Sequence, residues 1–157
     1  MGSDSCANCL ADLSVSGIPA SWQPVSENDL VAPLSKLRLR QPPTIEPTAS
    51  VRDAVRLLQA EPGGGLVVVH GGRIVGIFTE RDVLKKIAGH AGRMDEPVSR
   101  HMTPDPVVLR VDDSMAVALN KMGVGGFRHI PVTDDGTLVA LVTARDLMSW
   151  VMGRFLD

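Results

Sequence analysis

Aromatic residues are almost missing from this 157-residue chain, which has three Phe, two Trp and no Tyr. A core must then come from Val, Leu, Ile, Ala and Met, and the shortage argues against an aromatic stacking platform for single-stranded nucleic acid. Cysteine is equally scarce, with only Cys6 and Cys9 in Cys6-Ala7-Asn8-Cys9. A four-thiolate zinc site needs a second such pair, which a dimer could supply and to which Asp12 could add a ligand. No strand pattern precedes the pair, as a thioredoxin-like motif would require. Half a metal site, a redox couple and two thiols on a loose tail all remain open. Excess charge is missing too. The formal net charge of −2 argues against non-specific nucleic-acid or anionic-membrane binding, and leaves a basic face at Lys36, Arg38 and Arg40 weak support for either. No apolar run approaches the roughly 20 residues that span a bilayer. Met1-Gly2-Ser3-Asp4-Ser5 lacks the basic and apolar regions of a signal peptide, so the expected location is the cytoplasm.

What is there is a hydrophobic share of 44% against 22% charged residues, the balance of a globular chain long enough for one domain with a real core. Residues 1–32 have weak periodicity and are broken at Pro24 and Pro33. They read as an N-terminal extension, ordered only if Leu10, Leu13, Ile18 and Trp22 find a surface to cover.

The chain turns on Gly76-Ile77-Phe78-Thr79-Glu80-Arg81-Asp82. An apolar strand ends in Thr79 and a helical pattern begins, which places a hydroxyl, a guanidinium and a carboxylate around a helix start. Such a place suits a ligand with both phosphate and sugar hydroxyls. The stretch has a twin at Ala140-Leu141-Val142-Thr143-Ala144-Arg145-Asp146, and one ungapped shift of 64 positions carries the match across the chain. It pairs Pro33 with Pro97, Pro42 with Pro106, Ser50 with Ser114, Ala54 with Ala118, Gly72 with Gly136 and Gly89 with Gly153, with apolar positions in step.

Each copy reads β-α-β-β-α. A short strand near Ile45 (Leu109 in the second copy) precedes a helix capped by Ser50 (Ser114), with Val51, Ala54, Val55 and Leu58 (Met115, Ala118, Leu119 and Met122) turned inward. Two strands joined at His70-Gly71-Gly72 (Asp134-Asp135-Gly136) form a hairpin, and the second of them feeds the last helix. The expected bounds are 33–93 and 97–157. Half-cores of this size are marginal alone, so the copies should pack sheet against sheet.

The twin motifs, together with Phe127-Arg128-His129-Ile130-Pro131-Val132, resemble the CBS domains named after cystathionine β-synthase, over about residues 33–157. The resemblance implies an α+β fold, a tandem pair of modules packed sheet to sheet by pseudo-two-fold symmetry. It further implies a homodimer and two inter-module clefts for AMP, ADP, ATP or S-adenosylmethionine. Carried over by position, the first cleft takes Thr79, Arg81 and Asp82, facing Pro106, Val107, Arg128, His129, Ile130 and Pro131. The second takes Thr143, Arg145 and Asp146, facing Pro43, Thr44, Gly64, Gly65, Leu66 and Val67. In this scheme the aspartates accept the ribose hydroxyls, the arginines hold phosphate, and Ile130 and Leu66 wall the adenine. With Arg128 and His129 assigned to it, the first cleft is expected to bind phosphorylated ligand more tightly. Ala140 in place of Gly76 is expected to narrow the second.

No nucleophile stands beside a base and no metal cluster is complete, so the reading is not an enzyme but a regulatory module that senses energy state and signals through an unidentified protein partner. The alternative is a metal- or redox-responsive interaction protein built on Cys6 and Cys9. Gly63-Gly64-Gly65 is a turn rather than a phosphate loop, since no Gly-Lys-Ser/Thr follows.

Overall fold

The computed structural model describes residues 25–156. Cys6 and Cys9, and the apolar residues 10, 13, 18 and 22 of the extension, lie outside the described residues. What is described of the extension includes one short helix, α1 (Glu27–Leu30), closed by a Ser26–Asp29 capping box.

Both copies fold as the spacing predicts. In the first, β1 (Thr44–Ile45), α2 (Val51–Ala60), β2 (Gly65–His70), β3 (Arg73–Thr79) and α3 (Glu80–Asp82) follow in order. The second sheet begins after β4 (Thr103–Pro104), and the second copy runs β5 (Leu109–Arg110), α4 (Met115–Gly125), β6 (His129–Asp134), β7 (Thr137–Thr143) and α5 (Ala144–Leu156). Even the registers repeat: β1 runs parallel to β2 with Ile45 opposite Val68, and β5 runs parallel to β6 with Leu109 opposite Val132. Both hairpins close through two residues of positive φ, Gly71 and Gly72 in one, Asp135 and Gly136 in the other. That is the turn whose twist matches antiparallel strands.

Strand alternation sorts the side chains. Leu66, Val68 and Phe78 join Val51, Ala54 and Leu58 of α2 in one core, while Ile130, Val132, Ala140 and Val142 join Met115 and Ala118 of α4 in the other. Val67, Ile77 and Pro131 belong to neither core yet are sealed, because their faces carry the contact between the two sheets. A Cβ on Gly65 would lie 2.8 Å from His129 Cδ2 and 3.0 Å from Leu141 Cδ2, so glycine is what lets the sheets close there.

The copies also exchange their leading segments. Leu34 and Leu37 open the first repeat but pack in the second core. The Leu34 N–H donates to the Asp113 carbonyl at 2.9 Å and the Met115 N–H to the Ala32 carbonyl at 2.9 Å. In mirror fashion Val98, at the start of the second repeat, is buried in the first core, and its N–H donates to the Ala49 carbonyl at 2.8 Å.

Two departures break the repeat. β4 pairs with β3, Gly76 opposite Pro104, and the corresponding residues 39–40 form no strand. A Cβ at Gly76 would collide with Met102 Sδ and fall 3.0 Å from the Thr103 carbonyl oxygen, whereas Ala140 faces no such strand. The glycine thus serves strand packing rather than ligand approach. The last helix of the first copy is also short. After Asp82 it continues as a π-turn over Val83–Ile87, in which the Ala88 N–H reaches the Val83 carbonyl at 2.8 Å, and the chain turns away at Gly89 with φ 81°. Gly153, its partner in the repeat, stays inside α5.

Candidate functional site

Both Thr–Asp motifs sit where a strand becomes a helix, and each aspartate spends one oxygen on the helix cap. Asp82 Oδ2 accepts from the Thr79 N–H at 3.0 Å and from Thr79 Oγ1 at 3.1 Å. Asp146 Oδ2 accepts from the Thr143 N–H at 2.7 Å and from Thr143 Oγ1 at 2.8 Å. The first helical N–H of each, on Glu80 and Ala144, donates to the carbonyl just ahead of the neighbouring strand, Gly64 and Arg128, at 3.0 Å in both cases. The motifs are thereby fixed to the strand starts at the centre of the pseudo-two-fold.

The second oxygen of each aspartate meets a different fate. Asp82 is only 8% exposed, and its Oδ1 lies 2.8 Å from Lys86 Nζ. Asp146 Oδ1 has no ion pair among the described residues, and the position corresponding to Lys86 is Trp150. Asp146 opens onto a pocket of about 490 Å³. The walls are the 37–42 segment, the Glu61–Gly65 turn, Arg128 and His129, and the run from Ala140 to Asp146. Four arginines line it, Arg38, Arg40, Arg128 and Arg145, against the carboxylates of Glu61, Glu80 and Asp146. A shallower depression floored by Ser149 and Trp150 adjoins it, sharing Arg38, Arg40 and Asp146.

The geometry rearranges the sequence assignment. Thr143, Arg145, Asp146, Gly64 and Gly65 come together as expected in the second cleft. Arg128 and His129, assigned to the first, line the second as well. His129 crosses over because Gly65 leaves room for its ring, and Nε2 makes a 2.9 Å hydrogen bond with the Gly63 carbonyl. Leu66 and Ile130 form no adenine wall. Each is wholly buried in its own core, because strand alternation turns them away from the cleft. Val67 and Pro131 are likewise sealed between the sheets. Thr44 and Val107 do not line the pocket, and Val107 packs on the second core; Pro106 is also off it, and Thr79, Arg81 and Asp82 stand at the other helix start.

Arg38 and Arg40 were not among the expected cleft residues, since Lys36, Arg38 and Arg40 were weighed only as a basic face for nucleic acid or membrane. The signal was the alternation of this stretch: Leu37 and Leu39 pack on the second core, and the three cations project on the other side. Lys86 escaped as well, since an Asp–Lys pair four apart on a helix resembles any surface pair. Among the described residues no three His, Cys, Asp or Glu side chains gather as a metal site, and no helix is long and apolar enough to cross a membrane.

Away from the clefts, Glu96 and His101 form a tight pair, Nε2 to Oε2 at 2.6 Å, with His101 7% exposed. That hydrogen bond, aided by Arg100, holds the Glu96 carboxyl below its ordinary value.

The CBS domain family model matches residues 34–89 and 98–153. A 17.7 kDa protein of Acidianus ambivalens is 34% identical over 105 residues, covering 66% of this chain and 63% of that protein. A CBS domain-containing protein of Arabidopsis thaliana is 32% identical over 111 residues, covering 69% of this chain but only 20% of its own length. The chain thus spans less than two thirds of these relatives. Among solved structures, a CBS-domain containing protein from Agrobacterium tumefaciens matches with a TM-score of 0.64 at 33% identity, over 70% of this chain and 89% of that one. A CBS domain protein from Pyrobaculum aerophilum, complexed with AMP, matches with a TM-score of 0.66 at 24% identity, over 80% of this chain and all of that one (100%).

Proposed function

The chain belongs to the CBS-domain family, and from that premise we propose that it is an adenine-nucleotide-binding regulatory module whose ligand sits in the cleft at Thr143 and Asp146. The observation that carries this reading is Asp146. One carboxylate oxygen is committed to the helix cap, and the other opens onto a pocket of about 490 Å³ rimmed by four arginines. A carboxylate oxygen suits a ribose hydroxyl as donor, and guanidinium groups suit phosphate. AMP bound to the Pyrobaculum aerophilum protein supports the same ligand class.

The arginines favour AMP, ADP or ATP over S-adenosylmethionine, which carries a positive sulfonium and no phosphate. The asymmetry runs opposite to the sequence expectation: the Asp146 cleft is the better one, because the Asp82 cleft lacks a disengaged carboxylate oxygen. Modules bounded at 33–93 and 97–157 bind the ligand jointly, and the nucleotide acts by favouring one arrangement of the two over another. An energy-state signal of this kind passes to a separate protein in the cytoplasm. Exposed Leu84 and Met148, which correspond across the repeat, together with Met152, give the helix faces an apolar surface for a homodimer.

A thermal-shift screen with AMP, ADP, ATP and S-adenosylmethionine tests the reading. At a hundredfold excess over Kd, a single-site ligand adds about 2.7 kcal/mol, or roughly 5–10 °C for a chain of this size. The three nucleotides should stabilise the protein more than S-adenosylmethionine. Stabilisation by none of the four at millimolar concentration overturns the proposal.

A further inference from the structure

The two Thr–Asp motifs of this chain are built alike and differ in what meets the second oxygen of the aspartate. Lys86 leaves the π-turn of the first copy and places Nζ 2.8 Å from Asp82 Oδ1 and 2.7 Å from the His101 carbonyl oxygen, to which it donates. Its reach is fixed from both ends. The π-turn at Val83–Ile87 sets its backbone, and Arg93 donates through Nη1 to its carbonyl. The acceptor on the far side is rigid too, since the buried His101 ring is tied to Glu96. With Oδ2 held by Thr79, both oxygens of Asp82 have partners from the chain itself.

In the second copy both halves of this clasp are replaced. Trp150 stands at the position of Lys86 and Leu37 at the position of His101. Arg38 and Arg40, at the positions of Met102 and Pro104, line the pocket that is left.

We propose that Lys86 is a tethered occupant of the first cleft. Its ammonium takes the position on Asp82 that a ligand hydroxyl takes on Asp146, so that the chain binds one nucleotide and the first cleft is closed by its own side chain. The inference rests on the nucleotide reading above for its ligand, but the Lys86–Asp82 clasp is a property of the free protein. A nucleotide entering the first cleft must displace a charge-assisted bond to a carboxylate that is mostly out of water, whereas none has to be displaced at Asp146.

The test has two arms on the full chain. In the first, an amine-acylating reagent is added to the ligand-free protein and modification is followed by mass spectrometry. Lys86 should react several-fold more slowly than its exposed neighbour Lys85, and Asp82→Asn should close the gap. Equal rates in the wild-type protein, or a gap unmoved by Asp82→Asn, overturn the clasp. In the second arm, AMP is titrated calorimetrically into wild-type protein, Lys86→Met and Lys86→Gln, the last retaining a donor for the His101 carbonyl. One AMP per wild-type chain and two per chain in a folded Lys86 variant support the proposal. Two per wild-type chain, or one in both variants, refute it while leaving the nucleotide reading intact. No binding to any of the proteins removes the nucleotide reading and with it the proposed role in ligand exclusion, leaving the labelling arm to decide the clasp alone.

Discussion

Replacing Leu34 by alanine should loosen the copy that Leu34 does not belong to by repeat. The residue opens the first copy but is wholly buried with Met115, Ile130, Val142 and their neighbours in the second core. Truncating a buried leucine costs about 2–5 kcal/mol, because the transfer energy of the lost methyl groups adds to that of the cavity they leave. At about 3 kcal/mol, the melting temperature of a chain this size falls by roughly 6–12 °C. The diagnostic readout is where protection is lost. In native-state hydrogen exchange, the amides of β6 and β7 should open more readily in Leu34→Ala, and those of β2 and β3 should change less. Val98→Ala is the mirror experiment. It removes two methyl groups, roughly 1.5 kcal/mol of transfer energy before any cavity cost, from the first core. Its effect should centre on β2 and β3. If Leu34→Ala loosens β2 and β3 as much as β6 and β7, the exchanged segments do not couple the copies in this way.

Two further perturbations follow from the same packing. Gly76→Ala must push Met102 and the Thr103 carbonyl off β3, which overpacking puts at about 1–3 kcal/mol; a urea midpoint unchanged from wild type contradicts the close approach of β4. Glu96 is held below its ordinary carboxyl value near 4.5, so its contribution is present above that pH and is lost as pH falls through the lower folded value. Urea midpoints between neutral and acid pH should therefore decline less steeply on the acid limb in Glu96→Gln than in wild type, and parallel limbs contradict the assignment to the His101 bond.

The features legible in the sequence are those fixed locally. Ser50 and Ser114 cap helices, the Gly71-Gly72 and Asp135-Gly136 pairs close hairpins, and the shift of 64 carries one architecture onto both halves. The caps and hairpins depend on neighbours within a few positions, and the repeat lets one copy stand for the other. The exchanged segments were not legible, because the apolar character of Leu34 and Val98 says that they are buried without saying in which core. Lys86 was hidden for a related reason: Asp82–Lys86 spacing is common on exposed helices, and only the depth of Asp82 and the approach of the His101 carbonyl make it a closed clasp. Leu66 and Ile130 show the opposite error. An apolar residue beside a binding motif suggests a ligand wall, yet alternation along the strand sends it into the core. His129 depended on a glycine in the other sheet, since the space over Gly65 is what lets its ring cross to the Gly63 carbonyl.

By this proposal Asp146, and not Asp82, holds the ligand. Calorimetric titration of AMP into wild-type protein, Asp146→Asn and Asp82→Asn tests it most directly, because asparagine retains an oxygen for the threonine cap while losing the charge and the second acceptor. Loss of hydrogen bonds to a charged group, about 1.5–3 kcal/mol, should weaken AMP binding by at least about tenfold in Asp146→Asn, with little change in Asp82→Asn. A weakening confined to Asp82→Asn, or equal in the two variants, contradicts the account.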